Sequence, residues 1–308
     1  MSDHRARIVA AFGAVYVLWG STYLAIRFGV ETIPPFVMAG TRHLTAGLLL
    51  YAWMRARGTA RPSRRHWGAA TVIGGLMLLG GNGLVTWAEQ RVPSGLAALI
   101  VASVPIWMAV LAALEKRRRP ASYVVAGLAI GLAGIALLVA PGRLGGGGRV
   151  DPLGAAALLT AALSWSIGSL ASRRAPLPAS TLTAVSMEMI AGGCLLWIAG
   201  LLGGEGNRLA LAGISLRSAL SLCYLTVFGS LLGFSAYVWL LKATTPERVS
   251  TYAYVNPIVA VLLGTLLAGE ELTLRIGIAA AAIVAAVALI IRHGGEPKSD
   301  AAREKRAA

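Results

Sequence analysis

"LIVASVPIWMAVLAAL" (99–114) and "TYAYVNPIVAVLLGTL" (251–266) decide the fold once they are set side by side. Each is apolar, long enough for a buried helix, and carries Pro-Ile at the same register, Pro105-Ile106 against Pro257-Ile258. A proline inside a helix removes a backbone donor and strains the preceding turn, so it needs a reason. The shift of 152 residues that aligns the two also lays "LLGGNGLVTWAEQ" (78–90) on "SLLGFSAYVWLLK" (230–242), matching Leu79 with Leu231, Gly81 with Gly233 and Trp87 with Trp239. A shift of 146 pairs "LWGSTYLAIR" (18–27) with "SWSIGSLASR" (164–173) through Trp19 with Trp165, Leu24 with Leu170, Ala25 with Ala171 and Arg27 with Arg173. Leucine matches carry little weight in such a composition. A tryptophan and a mid-helix proline at one register carry more, and they indicate a duplicated chain.

The 308 residues are 56% hydrophobic and 13% charged, with a mean hydropathy of +0.70, which places the chain among polytopic membrane proteins. Crossing ~30 Å of hydrocarbon takes about 20 mainly apolar residues with every backbone group bonded internally. Ten segments qualify: 8–26, 35–54, 67–88, 94–114, 122–140, 153–172, 179–202, 216–241, 249–268 and 273–291. The connections between them are short, leaving no room for an inserted soluble domain. The first segment has the basic start and apolar core of a signal peptide, but no small-residue cleavage site follows, so it is expected to stay in the protein. Cys194 and Cys223 lie within spans as small apolar residues and indicate neither a disulfide framework nor a metal site.

A formal net charge of +15 raises the question of nucleic acid, which topology answers. On an alternating ten-span arrangement, 20 of the 28 Lys and Arg fall on the side of both termini, including Arg55, Arg57, Arg61, Arg64 and Arg65 and the run Lys116 to Arg119. Seven fall on the other side (Arg27, Arg91, Arg143, Arg149, Arg208, Arg217 and Arg275), and Arg42 alone lies inside a span. This asymmetry is the positive-inside pattern and predicts cytoplasmic N- and C-termini in an inner (plasma) membrane, with no nucleic-acid partner.

Five spans per copy is an odd number, so the second copy must sit inverted in the bilayer. The predicted organisation is a first five-helix repeat over 1–142, a Gly-rich linker over 143–150, an inverted repeat over 151–292 and a basic tail over 293–308. Inverted repeats about a pseudo-two-fold axis are a recurring plan of secondary transporters, with the substrate near the midplane. "PGRLGGGGRVD" (141–151) lacks the Gly-Lys-Ser/Thr of a phosphate loop. The spans also lack paired carboxylates, a Ser-His-Asp set and a metal cluster, so neither an enzyme nor a cofactor is expected.

The chain resembles the ten-span EamA-type carriers of the drug/metabolite transporter superfamily. The residues that carry the resemblance are "LWGSTYLAIR", "RHLTAGLLL" (42–50), the paired prolines, and the path from Pro257 to "GEELT" (269–273); the first copy departs from it, with "EKRRRPAS" in place of the Gly-Glu turn. The resemblance implies a carrier of small organic metabolites working by alternating access, with the aromatic or large neutral amino-acid exporters as the branch it looks most like. Carriers of a nucleobase, sugar or polyamine, and a non-transporting receptor or scaffold, are the alternatives.

The candidate substrate-binding residues follow from polarity and aromaticity at mid-span depth. Arg42 is a ligand for a substrate carboxylate or a structural arginine; His43 beside it could titrate near neutral pH. Glu188, the deepest acid, is expected across a central cavity from Arg42. Asn82 and Thr86 share a face at i, i+4 next to Trp87, and Gly80, Gly81 and Gly83 permit close approach. Trp19, Tyr23, Trp165, Tyr237 and Tyr252 add aromatic wall, whereas Trp53, Trp67 and Tyr123 fit interfacial belts. Pro257 denies a donor to the Ala253 carbonyl beside Tyr252 and Asn256, which makes Pro105 and Pro257 a pair of candidate hinges. The small-residue stretch "GLAIGLAG" (127–134) in span five suits scaffold packing or a dimer contact, so a monomer or weak homodimer is expected in the bilayer. Proton coupling would need a titrating group in the pathway, for which Glu188 and His43 are candidates; a uniporter needs neither.

Overall fold

A computed structural model describes residues 2–115, 117, 122–139, 151–244, 246–249 and 251–294. The expected linker and residues 295–308 of the basic tail lie outside them. Ten helical rods run through the described residues, and no strand occurs among them: α1 (Ser2–Gly29), α2 (Pro35–Ala56), α3 (Arg64–Ala88), α4 (Ser94–Glu115), α5 (Ser122–Val139), α6 (Pro152–Ser172), α7 (Thr181–Leu202), α8 (Leu216–Ala243), α9 (Tyr252–Ala268) and α10 (Leu274–Gly294). Six of them are long and apolar enough to cross a membrane, and shorter apolar helices lie at Ser122–Leu137, Val255–Ala268 and Leu274–Leu289. Large apolar side chains such as Val9, Leu48, Val72, Ile198, Leu202 and Leu266 point outward, as a hydrocarbon surround requires.

Short polar side chains start several of these helices. Ser63 accepts from the His66 amide while His66 returns a bond to Ser63; Asp151, Ser180 and Ser215 cap α6, α7 and α8. Helices α2 and α4 instead follow Pro34 and Pro93, whose side chains accept nothing, and take carboxylates from elsewhere in the chain. Glu205 accepts from the amides of Phe36 (3.3 Å) and Val37 (2.9 Å), and Glu270 accepts from those of Ser94 (2.7 Å) and Gly95 (3.0 Å). Both acids belong to the second half and both capped helices to the first, so the halves are stitched together at the end of the bundle opposite the termini.

The packing has two-fold character. Helix α2 lies along α7, α4 against α9 and α5 along α10; α1 packs on α8 and α9 as α6 packs on α3 and α4, and α3 packs on α7 as α8 packs on α2. Exchanging every helix with the one five places on reproduces this set. Along α2 and α7 the contacts run in opposite directions: Gly40 meets Gly193 and Trp197, while Gly47 meets Met189 and Ile190, the absent side chains letting the backbones close up. Two of the "GLAIGLAG" glycines are used inside the molecule, Gly131 against Ala286 and Gly134 against Ile283 and Ala279 of α10.

Three features depart from plain helical spans. Gly75–Gly83 of α3 and Leu225–Phe234 of α8 are π-helical, their bonds reaching five residues along. The two segments superimpose to within two residues under the 152-residue shift. Rod α4, expected as one kinked helix, is two pieces, Ser94–Val101 and Val104–Glu115, separated at Ala102 and Ser103. Pro105 is thus the second residue of a new helix, where its missing amide costs nothing. Helix α9 begins at Tyr252, after a separate turn Pro246–Val249, and runs unbroken through Pro257. Here the proline sits far enough inside to leave the Ala253 carbonyl without its helical donor.

Candidate functional site

A central cavity lies where the halves meet, lined from α1 by Trp19, Thr22, Tyr23 and Ile26. That i, i+3, i+4, i+7 stripe is one face of a straight helix. Helix α2 contributes Arg42 and His43; the π-helical part of α3 contributes Leu78, Gly81 and Asn82; α6 contributes Ala161 and Trp165; the π-helical part of α8 contributes Gly229 and Phe234. Val101 and Val104 flank the break in α4, and Tyr252 and Asn256 stand at their place in α9.

Rings dominate one side. Trp19 meets Trp165 edge-on at 5.5 Å between centroids, and packs on Tyr237 at 4.9 Å and Tyr252 at 5.5 Å. The two tryptophans are counterparts under the 146-residue shift, so a residue meets its own repeat at the centre. Their seats repeat as well: a Cβ on Gly81 would stand 2.9 Å from the Trp165 ring, and one on the matching Gly233 would stand 2.5 Å from that of Trp19. The Trp19 indole donates to the Gly229 carbonyl (3.1 Å) and the Trp165 indole to the Tyr237 hydroxyl (3.1 Å), which fixes both rings.

A polar chain crosses the other side. Arg42 donates from Nε to Ser230 Oγ (2.8 Å), Ser230 Oγ pairs with His43 Nδ1 (3.2 Å), and His43 Nε2 reaches Asn82 Oδ1 (3.1 Å). Both imidazole nitrogens are therefore engaged. Gly229 is the residue that admits the arginine, since a Cβ there would run into the guanidinium. Two buried polar atoms of this cavity keep no hydrogen-bond partner: Arg42 Nη1, a donor, and Asn256 Oδ1, an acceptor. Buried polar groups are normally satisfied, so these two are the natural handles for a ligand.

Of the residues expected at the site, the structure brings together Trp19, Tyr23, Arg42, His43, Asn82, Trp165, Tyr252 and Asn256. Tyr237 stands one layer behind, bonded to Trp165 and sharing a 2.9 Å hydrogen bond with Ser169. Thr86 turns its hydroxyl onto the Asn82 carbonyl, and Trp87 packs under the Arg91 guanidinium, 4.9 Å from it. Glu188 is buried in α7 at its contact with α3, where its carbonyl lies against Gly74, and it is absent from the cavity lining. Pro105 and Pro257 do not line the cavity either; the residues before them, Val104 and Asn256, do. Ser230, Thr22 and Gly229 are not legible as site residues in the sequence, because serines, threonines and glycines abound in these spans.

The family model for EamA-like transporters matches residues 7–140 and again 152–292. The chain belongs to the EamA-like transporter family. The uncharacterized inner membrane transporter YedA of Escherichia coli (strain K12) is 44% identical over 285 residues, covering 92% of this chain and 90% of YedA. The uncharacterized transporter YvbV of Bacillus subtilis (strain 168) is 24% identical over 286 residues, covering 93% and 91%. A solved crystal structure of 22% identity shares the fold, with a TM-score of 0.66 over 92% of this chain and 97% of that one. This EamA-like transporter gives its "GEELT" turn a physical role. Gly269 takes a left-handed conformation (φ 66°) that ends α9, and Glu270 then caps α4. In the first half Arg117 occupies the position of Gly269 and is also left-handed (φ 50°), so that conformation survives where its glycine does not.

Proposed function

We propose that this inner-membrane transporter exports neutral amino acids, aromatic or large apolar ones foremost, by alternating access of its two halves about the central cavity. The observation that carries the reading is the pair of unpartnered handles in an aromatic cavity: Arg42 Nη1 offers a charged donor for a carboxylate, and Asn256 Oδ1 an acceptor for an ammonium. The rings of Trp19, Trp165, Phe234 and Tyr252 supply the apolar wall for the side chain. No acidic residue lines the cavity among the described residues, which disfavours polyamines. The proposed orientation puts both termini in the cytoplasm. It is supported by the cation asymmetry and by the other end, where Arg27, Arg91, Arg208 and Arg217 each engage a carbonyl or carboxylate.

On this reading a zwitterion enters from the cytoplasm, seats its carboxylate on Arg42 and its ring among the aromatics, and leaves when the outer end opens. The rods α4, interrupted at Ala102 and Ser103, and α9, with Pro257 inside it, pack against each other and both line the cavity, and they are the elements suited to move. Uptake of labelled neutral amino acids into liposomes holding the purified protein, with and without a pH gradient, tests this. Saturable uptake of phenylalanine or leucine is the expected outcome, and movement of none of the neutral amino acids would sink the substrate class.

A further inference from the structure

Glu89 follows directly on α3 and is fully buried, yet neither of its carboxylate oxygens has a hydrogen-bond partner. It stands between two spaces. Val85, one turn earlier, lines the central cavity; Gln90, Arg91, Val92, Pro93 and Gly95 line a cleft that opens at the end opposite the termini. The charged and titratable groups around Glu89 divide the same way. Tyr23 of α1 and Arg42 of α2 belong to the cavity; Arg27 of α1 and Glu270, in the turn after α9, belong to the cleft. Arg27 donates to the Glu89 carbonyl (2.8 Å), while Glu270 closes α9 onto the start of α4. The packing of the frame does not itself call for an acid here, because the 152-residue counterpart at the other end is the buried Leu241.

We propose that Glu89 is a proton-binding site in the outer gate, closing with a proton on its carboxyl and opening as the carboxylate. A carboxylate sealed from water without a donor costs far more than the neutral acid in the same place. Opening the cleft lets water in; the carboxyl passes its proton to that water, and the anion is then held by water and by the Arg27 guanidinium. Burial, with Glu270 next, pushes this carboxyl well above the usual range against the opposing pull of Arg27 and Arg42. The closed state therefore binds more protons than the open one between the ordinary carboxylate value and the raised one. Across that window rising pH favours opening, by about tenfold per unit.

The inference rests on the carrier reading for its name as a gate, but its test needs no substrate. Val101→Cys, placed in the cavity of a chain with Cys194→Ser and Cys223→Ser, is labelled by a membrane-impermeant maleimide added outside sealed vesicles. Labelling is expected to quicken about tenfold per unit of outside pH until Glu89 has titrated. Glu89→Gln, which mimics the protonated acid, should label slowly at every pH, and Glu89→Asp should restore a pH dependence. An unchanged pH profile in Glu89→Gln, or fast labelling at every pH, overturns the proposal. If that variant fails to fold, the infrared spectrum of the wild-type chain decides, read against Glu188→Gln to remove the other buried carboxyl that has no hydrogen-bond partner among the described residues. A protonated-carboxyl band remaining in Glu188→Gln at neutral pH is expected, and its absence overturns the proposal.

Discussion

Arg42 shows how much a single side chain can reveal by its position in the sequence. It is the one Lys or Arg deep in a span, and its cost in hydrocarbon marks it as functional or carefully paired. The structure pairs it only in part: Nε is held by Ser230, and Nη1 has no hydrogen-bond partner, which is what the proposed carboxylate-binding role needs. Arg42→Lys keeps the charge but loses the forked donor, so it is expected to raise the half-saturating substrate concentration in liposomes by about tenfold, roughly 1.4 kcal/mol, with folding intact. An unaltered saturation curve would place Arg42 outside the binding role. Asn82, Trp19 and Trp165 are readable for the same reason, each being costly or bulky at mid-depth. Glu188 carries an equally strong signal and lies elsewhere, because depth in a span says nothing of the face on which a residue falls. Glu89 gives no signal, since an acid at the end of a span reads as interfacial until its burial is seen.

At the level of elements, the ten spans are legible from apolar length alone, and their ends fall within a few residues of the predicted ones except at the start of α1. The π-helical stretches are not, because a glycine-rich apolar run has the same composition whether its bonds reach four or five residues. Their effect is local rotation, which turns Asn82 and Gly81 in α3, and Gly229 and Phe234 in α8, toward the cavity. The two prolines look equal in sequence and differ in the fold: Pro105 opens a new helix after a break, whereas Pro257 lies inside one. Pro257→Ala would restore a donor for the Ala253 carbonyl and so stiffen α9. It is expected to raise the melting temperature in detergent while slowing turnover, and a faster carrier would show that the missing bond is not used in the cycle.

The whole molecule is held closed at the end opposite the termini through caps lent by one half to the other. Glu270→Gln removes the charge that faces the start of α4, and should lower stability by about 1 kcal/mol in thermal melts, while the exposed Glu271→Gln should not. Equal melting curves for the two variants would show that the lent cap contributes nothing. The duplication behind this arrangement is visible in two tryptophans and two prolines, whereas the stitching is not, because nothing in a sequence says which helix end a distant glutamate will reach. An inverted two-fold frame runs equally well in either direction, so any rectification of flow must come from the residues that break the symmetry. Three of these sit at the doors and the seat: Glu89 against Leu241, Asn256 against Val104, Tyr252 against Ile100. On the proposed reading one door carries an ionisable latch and the other an apolar plug, so the two faces of the carrier answer differently to pH although the frame beneath them treats both alike.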